Sequence, residues 1–431
     1  MKLFFRQLAL NLQLPAILAL AALTGGCATN PVTGESQFSL ISASQEVAIG
    51  RKNYLPSQQS QGGRYVVDPD LNTYINSVGQ KLAKVSDRPK LPYEFVVLNN
   101  DVPNAWALPG GKIAINRGLL IQLQDEAQLA AVLGHEIVHA AARHGATQQT
   151  QSILLGIGTT AASAIGSAYG YGGLAQQGSA LGAAAMQAQY GQGQELESDE
   201  YGMSYMARAG YEPQAAVELQ QLFVKLSAGR QQDRLSTFFA SHPPSQKRVE
   251  ENRKHAAKLA KGVRNKAQFQ RAIARIKKDQ PAYKAHQQAL EYANKKNYAK
   301  AISSVKSAIK KQPNESLFHE TLGKLQLQQK NQKAALSSFN KAVSLNPEYF
   351  SPKLYRGLTQ AELKNYTAAE RDLLSSTQLL PTQVAVYYLG EVTLAQGKKQ
   401  DAQQYFQQAQ AAGGELGAAA GDKLRSLGVQ Q

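Results

Sequence analysis

The chain has 431 residues, a formal net charge of +16 and a single Cys. One Cys excludes any intrachain disulfide, and the length leaves room for two or three domains with sizeable cores. The positive excess is local. Between Arg253 and Lys311 stand 17 Lys/Arg against two acids, Asp279 and Glu291. No nucleic-acid-binding motif accompanies them, so the segment reads as a solvated helical surface or an electrostatic contact to a membrane or protein, not to nucleic acid.

Residues 1–26 carry Lys2 and Arg6, then an uncharged, mainly apolar run from 7 to 23, then Thr24-Gly25-Gly26 before Cys27. This reads as a signal peptide. Small residues before a lone Cys resemble a bacterial lipoprotein signal, which implies lipidation of Cys27. Ala28 after it implies the outer rather than the inner membrane. An ordinary secretory signal is the alternative. Residues 27–45 are polar, with turn signals at Asn30-Pro31 and Thr33-Gly34, and form a tether.

A helix is expected from 44 to 54 with Ser44 as its cap, and another over 71–85, where Leu71, Tyr74, Ile75, Val78, Leu82 and Val85 share a face. Residues 93–98 read as a strand. Ala105-Trp106-Ala107-Leu108, the turn Pro109-Gly110-Gly111, and Lys112 to Ile115 read as a strand, a tight turn and a second strand.

Next comes Gly134-His135-Glu136-Ile137-Val138-His139, in a run of helix formers. His-Glu-x-x-His puts two imidazoles on one helical face, able to bind one metal ion. Glu136 stands where a general base for water belongs. A helix carrying two surface histidines is the alternative. His144 falls off the face of His139 and reads as structural or as a support for a ligand.

Residues 145–194 contain no charged side chain. They read as small-residue helices with a loop at 170–173, or as a membrane-contacting hairpin. Then Glu195 and Asp199 share a helical face. Zinc held by two histidines needs a third protein ligand and an open position, and Glu195 fits that need. Asp199 can fix the tautomer of a ligand His from behind. Glu197 points elsewhere and is expected to be solvated.

His-Glu-x-x-His, the later Glu-x-x-x-Asp, and Asn104-Ala105-Trp106-Ala107-Leu108-Pro109-Gly110-Gly111 before them resemble the HtpX / CAAX prenyl protease family of zinc metallopeptidases. Asn30-Pro31-Val32-Thr33-Gly34 and Ser241-His242-Pro243-Pro244-Ser245 with Arg248 look like its periplasmic lipoprotein members. The resemblance covers roughly 30–255. It implies a zincin-type helical domain with a small sheet, one Zn²⁺ per chain on His135, His139 and Glu195, and Glu136 as base. It also implies that Asn104 to Ile115 is an edge-strand hairpin along which substrate backbone adds, with Asn104 to Gly110 as the substrate-binding residues. His242 either donates to the oxyanion or occupies the open zinc position and holds the site latent. Arg248 stabilises charge or binds the substrate carbonyl.

In the last third, Pro313, Pro347 and Pro381 recur every 34 residues, as do Ala301, Ala335 and Ala369. Gly323 and Gly357 keep the period, and Gly390 is one short. This resembles tetratricopeptide repeats, which bind proteins in a concave groove. Four repeats over 281–414 and a capping helix at 415–427 are expected.

The fold class is therefore α+β, mainly α. Residues 46–255 form a metallopeptidase domain, 256–280 a basic connector and 281–431 an α-solenoid. The resemblance implies a periplasmic, lipid-anchored protease acting on unfolded or misassembled envelope proteins, with outer-membrane assembly machinery as a further partner of the repeats. A chaperone-like assembly factor with a latent or structural zinc site is the alternative.

Overall fold

The computed structural model describes residues 27–155, 190–227 and 238–428. The signal segment and most of the uncharged stretch lie outside these residues, and with them the helical, loop and membrane readings of 156–189. Among the described residues no helix is long and apolar enough to cross a membrane.

The chain opens with a small hairpin, β1 (Cys27–Thr29) antiparallel to β2 (Ser36–Phe38). Its loop is tied by Asn30, whose Oδ1 accepts from the Val32 and Thr33 amides at 2.9 and 3.4 Å. Helix α1 (Ala43–Ser60) is capped by Ser42, two residues before the expected cap Ser44. Ser42 and Gln45 form a reciprocal capping box there, which satisfies two otherwise orphaned amides. Helix α2 (Pro69–Ala83) starts on the cap Asp68 with Pro at its first turn, and buries Leu71, Ile75, Val78 and Leu82. Each of these side chains contributes about 1.5–3 kcal/mol by leaving water.

A three-stranded sheet follows, made of β3 (Glu94–Leu98), β4 (Ala105–Leu108) and β5 (Lys112–Asn116), in the order β3-β5-β4. β3 runs parallel to β5, and β4 antiparallel. β4 is an edge strand, as the resemblance implied. Its turn at Pro109-Gly110-Gly111 sits against α1. A Cβ at Gly50 of α1 would come 1.9 Å from the Pro109 carbonyl oxygen, so only glycine allows that approach.

After the single turn α3 (Arg117–Leu120), helix α4 (Glu126–Ala141) runs through the core with every residue buried. Helix α5 (His144–Leu155) follows it. Helix α6 (Gln192–Arg208) crosses α4 closely, because Gly134 and Gly202 face each other and a Cβ on either would meet the other's backbone at 3.0 Å. Helices α7 (Gln214–Ser227) and α8 (Gln246–Ala256) close the domain. Arg264, in the connector, straps it: its carbonyl accepts from the Glu126 and Ala127 amides, and its guanidinium meets Asp125 and Glu218.

Past the short helix α9 (Lys266–Ala272), the repeats are the pairs α10 (Ala274–Asn294) with α11 (Tyr298–Lys311), α12 (Ser316–Gln328) with α13 (Gln332–Leu345), α14 (Phe350–Glu362) with α15 (Tyr366–Leu379), and α16 (Gln383–Ala395) with α17 (Lys399–Ala411), then a capping helix α18 (Gly414–Ser426). The first helix begins before residue 281 and carries Pro281 inside it. The period has a packing cause. A Cβ at Gly323 or Gly390 would lie 2.6 Å from the ring of Phe339 or Phe406, so glycine on one helix admits the aromatic of the next. Each helix pair turns on a left-handed residue, at Lys296, Lys330 and Lys364 and then Gly397. The last step is one residue shorter, which explains the early Gly390.

Candidate metal centre

The close crossing of α4 and α6 puts Glu195 opposite His139, and Asp199 opposite His135. His242 and Arg248 come from the segment entering α8. Ligand atoms of His135, His139, Glu195 and His242 all lie within 4.8 Å of one another. His135 Nε2 and His139 Nε2 are 3.0 Å apart. Glu195 Oε1 is 3.3 Å from His139 Nε2, and Glu195 Oε2 is 3.5 Å from His135 Nε2.

Each imidazole is oriented from behind. His135 Nδ1 donates to Asp199 Oδ1 at 3.0 Å, and His139 Nδ1 is 2.9 Å from His144 Nδ1. With the Nδ1 positions so engaged, the Nε2 lone pairs converge on each other and on a carboxylate. Two nitrogen atoms and an anionic oxygen crowded together repel unless a proton or a metal cation sits among them. The donor set of two imidazoles and one carboxylate fits zinc.

Without a cation, a proton takes its place between these groups. Burial pushes His135 down, but the carboxylates of Glu195 and Asp199 outweigh it and raise the imidazole to about 10. Burial drives His139 well below its ordinary value. Burial opposes charge on Glu195, yet His242 and His135 hold it well below the usual carboxylate range. Burial raises Glu136. One of its oxygens, Oε2, is buried with no hydrogen-bond partner, and the other lies 3.5 Å from His242 Nε2.

His242 stands inside the cluster, its Nδ1 3.0 Å from Glu195 Oε1 and 3.3 Å from His135 Nε2. Arg248 is committed to carboxylates. Its Nε and Nη2 donate to Asp199 at 2.7 Å each, Nη1 donates to the Pro243 carbonyl, and Nη1 lies 2.7 Å from Glu195 Oε2. The guanidinium thus holds Glu195 and Asp199 of α6.

Of residues Asn104 to Gly110, those of strand β4 pack on α4, the helix that carries His135 and His139. Their side chains are buried, so this strand has only main chain to offer a ligand. Between α4, α6 and α7 a recess of about 520 Å³, counting its mouth, opens from His135 and Glu136 onto Val132, Met203, Met206, Leu219, Phe223 and Phe238.

Three residues near the ligands were missed or misplaced by sequence reasoning. Tyr190 stacks on His139 with ring centroids 3.8 Å apart, and no spacing signal marks it. Glu197, expected in solvent, accepts from Asn30 Nδ2 at 2.8 Å and lies 3.5 Å from His144 Nε2. His144, expected off the face of His139, touches it.

Residues 69–256 match the model of Peptidase family M48, and residues 318–349 that of a tetratricopeptide repeat. The chain is 30% identical over 266 residues to the Beta-barrel assembly-enhancing protease of Escherichia coli (strain K12), covering 59% of this chain and 54% of that protein. It is 30% identical over 234 residues to the protein of the same name from Yersinia pestis, covering 53% and 47%. To the Mitochondrial metalloendopeptidase OMA1 of Schizosaccharomyces pombe it is 29% identical over 223 residues, covering 51% and 63%. The chain thus spans about half the length of the first two relatives. Together these likenesses support a metallopeptidase segment of the M48 type joined to tetratricopeptide repeats.

Proposed function

We propose that this chain is a zinc endopeptidase of the bacterial cell envelope. The observation that carries the reading is Glu136, a buried carboxylate with an unpartnered oxygen beside converging ligand lone pairs. A purely structural zinc site closes its fourth position and needs no such base.

His135, His139 and Glu195 hold the metal. Zinc bound there supplies a Lewis acid that activates water and polarises the scissile carbonyl. Glu136 takes the water's proton and passes it to the leaving amine. Asp199, gripped by Arg248, fixes the tautomer of His135. Substrate main chain adds along β4, and the apolar recess beside Glu136 takes one substrate side chain. With a metal held by the cluster, His242 would cover it at rest and would have to move aside for turnover. Its contacts with Glu195 and Glu136 support that latency, and they are also what favours the second reading, an assembly factor whose zinc site stays closed.

Cys27 is the lipid-anchored residue, on the periplasmic side of the outer membrane. The substrates are misfolded or stalled envelope proteins, recruited by the repeats, which also engage outer-membrane assembly machinery. These last steps rest on the likeness to the relatives named above and on the signal-like residues 1–26.

The test pairs metal content with cleavage of casein. One zinc per chain, cleavage lost on chelation and restored by zinc, is the expected result. Cleavage that persists in metal-free protein sinks the proposal. So does a zinc-loaded chain that cleaves nothing even with His242→Ala.

A further inference from the structure

Behind His139 a run of polar groups extends away from the ligand cluster and ends at the N-terminal hairpin. His139 Nδ1 lies 2.9 Å from His144 Nδ1, His144 Nε2 lies 3.5 Å from Glu197 Oε1, and Asn30 Nδ2 donates to that same oxygen at 2.8 Å. The protons have one consistent direction. With the Nε2 lone pair of His139 turned to the cluster, its Nδ1 carries hydrogen and donates to His144 Nδ1. His144 then carries its own hydrogen on Nε2, which has no hydrogen-bond partner and faces the Glu197 carboxylate at 3.5 Å.

The backbone is arranged for this contact. On an uninterrupted helix, residue 144 would lie about 140° around from residue 139. Arg143 breaks the helix with φ of 66°, a left-handed conformation in a non-glycine residue. It is held there by Glu46, which accepts from Arg143 Nε at 3.0 Å and also pairs with Arg88. A second bond runs from the Arg143 guanidinium to the Ile41 carbonyl. The break swings the His144 ring back beside His139.

The far end is equally fixed. The Oδ1 of Asn30 is occupied by two amides of its own loop, which aims Nδ2 at Glu197. From β2, Gln37 Nε2 donates to the Ala142 carbonyl, and its Oε1 accepts from Thr147. The Leu40 amide donates to Thr150 Oγ1 at 3.0 Å. The hairpin therefore lies along α5 and the end of α4.

We infer that His144, Glu197 and Asn30 are positioning residues for His139, and that the N-terminal hairpin thereby sets the metal affinity of the site. This rests on the zinc reading above. His135 is backed directly by a carboxylate; His139 is backed by a carboxylate through the His144 imidazole. The second arrangement extends the control of one ligand to a segment that begins at Cys27.

The experiment uses the full chain and Zn²⁺ alone, with affinity measured against a chromophoric chelator. The visible spectrum of the Co²⁺-substituted protein and the melting temperature of the metal-free protein are recorded in parallel. Glu197→Gln and His144→Phe are expected to weaken zinc binding by about 10–100-fold and to shift the cobalt bands. Asn30→Ala, in the hairpin, is expected to do so by a smaller factor, and it keeps the test open where His144 variants misfold. His144→Asn, whose carbonyl can accept from His139, recovers part of the loss. Wild-type zinc affinity and cobalt spectra in Glu197→Gln and Asn30→Ala overturn the proposal, whatever the melting temperatures do. A wild-type chain that takes up no zinc fails at an earlier step and removes the metal reading with it.

Discussion

Two buried polar clusters in this molecule are built from similar residues and end differently. One is the seam between the peptidase-like domain and the repeats. There Glu315 Oε1 accepts from Asn99 Nδ2 at 2.9 Å and from the Leu317 amide at 3.1 Å, while its Oε2 accepts from Tyr283 at 2.6 Å. Arg117 donates to Asn99 at 2.9 Å and lies over the Tyr283 ring at 3.6 Å. The other is the ligand cluster, where two imidazole Nε2 atoms meet at 3.0 Å beside a carboxylate and one Glu136 oxygen has no partner. The seam is closed: both Glu315 oxygens are used. The cluster is open: its lone pairs converge on a common point. Burial and polarity alone do not mark a functional site; unused valence aimed at one place does.

That contrast can be broken in several ways. The largest effect is expected at the open cluster. Glu195→Ala should weaken zinc binding by more than the roughly 100-fold typical of outer partners, measured by chelator competition, and should abolish casein cleavage. It should leave the seam intact, so the repeats should melt as in the wild type. Glu315→Ala tests the closed cluster. It strands the Tyr283 hydroxyl and the Asn99 amide, and should cost about 2–4 kcal/mol in denaturant unfolding, with zinc affinity unchanged. A loss of zinc in that variant would join the two regions that the comparison separates.

Smaller effects sharpen it. His242→Ala should raise cleavage several-fold at unchanged zinc content, because His242 covers the cluster. A fall in turnover with unchanged KM would instead assign it to the oxyanion. Glu315→Gln should be nearly neutral or slightly stabilising at pH 7. Burial raises the Glu315 carboxyl above its ordinary value of 4.5. The folded protein then holds that proton more tightly than the unfolded chain does. Its contribution is fullest below 4.5 and declines as the pH rises through the raised value. Gln cannot titrate, so melting curves of the variant should lose that part of the decline.

Much of the ligand cluster could be read from the chain. His135 and His139 are an i, i+4 pair, and so are Glu195 and Asp199, so helical geometry alone puts each pair on one face. What sequence could not give is how the faces meet. The Gly134 and Gly202 contact that sets their distance looks like any other small residue in a helix. The repeats were legible because their period is a packing requirement, Gly against Phe or Leu. Their seam with the first domain was not, since Asn99 and Glu315 are 216 residues apart and no local pattern links them. His144 was misplaced because it was projected on an ideal helix that the left-handed Arg143 ends, and Glu197 because its partner Asn30 lies 167 residues away in the chain. The early start of α1 reflects Ser42, which has Gln45 three residues on to complete its cap, where Ser44 does not.

The most direct test of the account is Glu136→Gln against the wild type, with zinc content and cleavage of an unfolded protein measured on the same samples. The account predicts one zinc per chain in both, and cleavage reduced by at least about 100-fold in the variant, the contribution of a general base. Cleavage at the wild-type rate with zinc retained would contradict it.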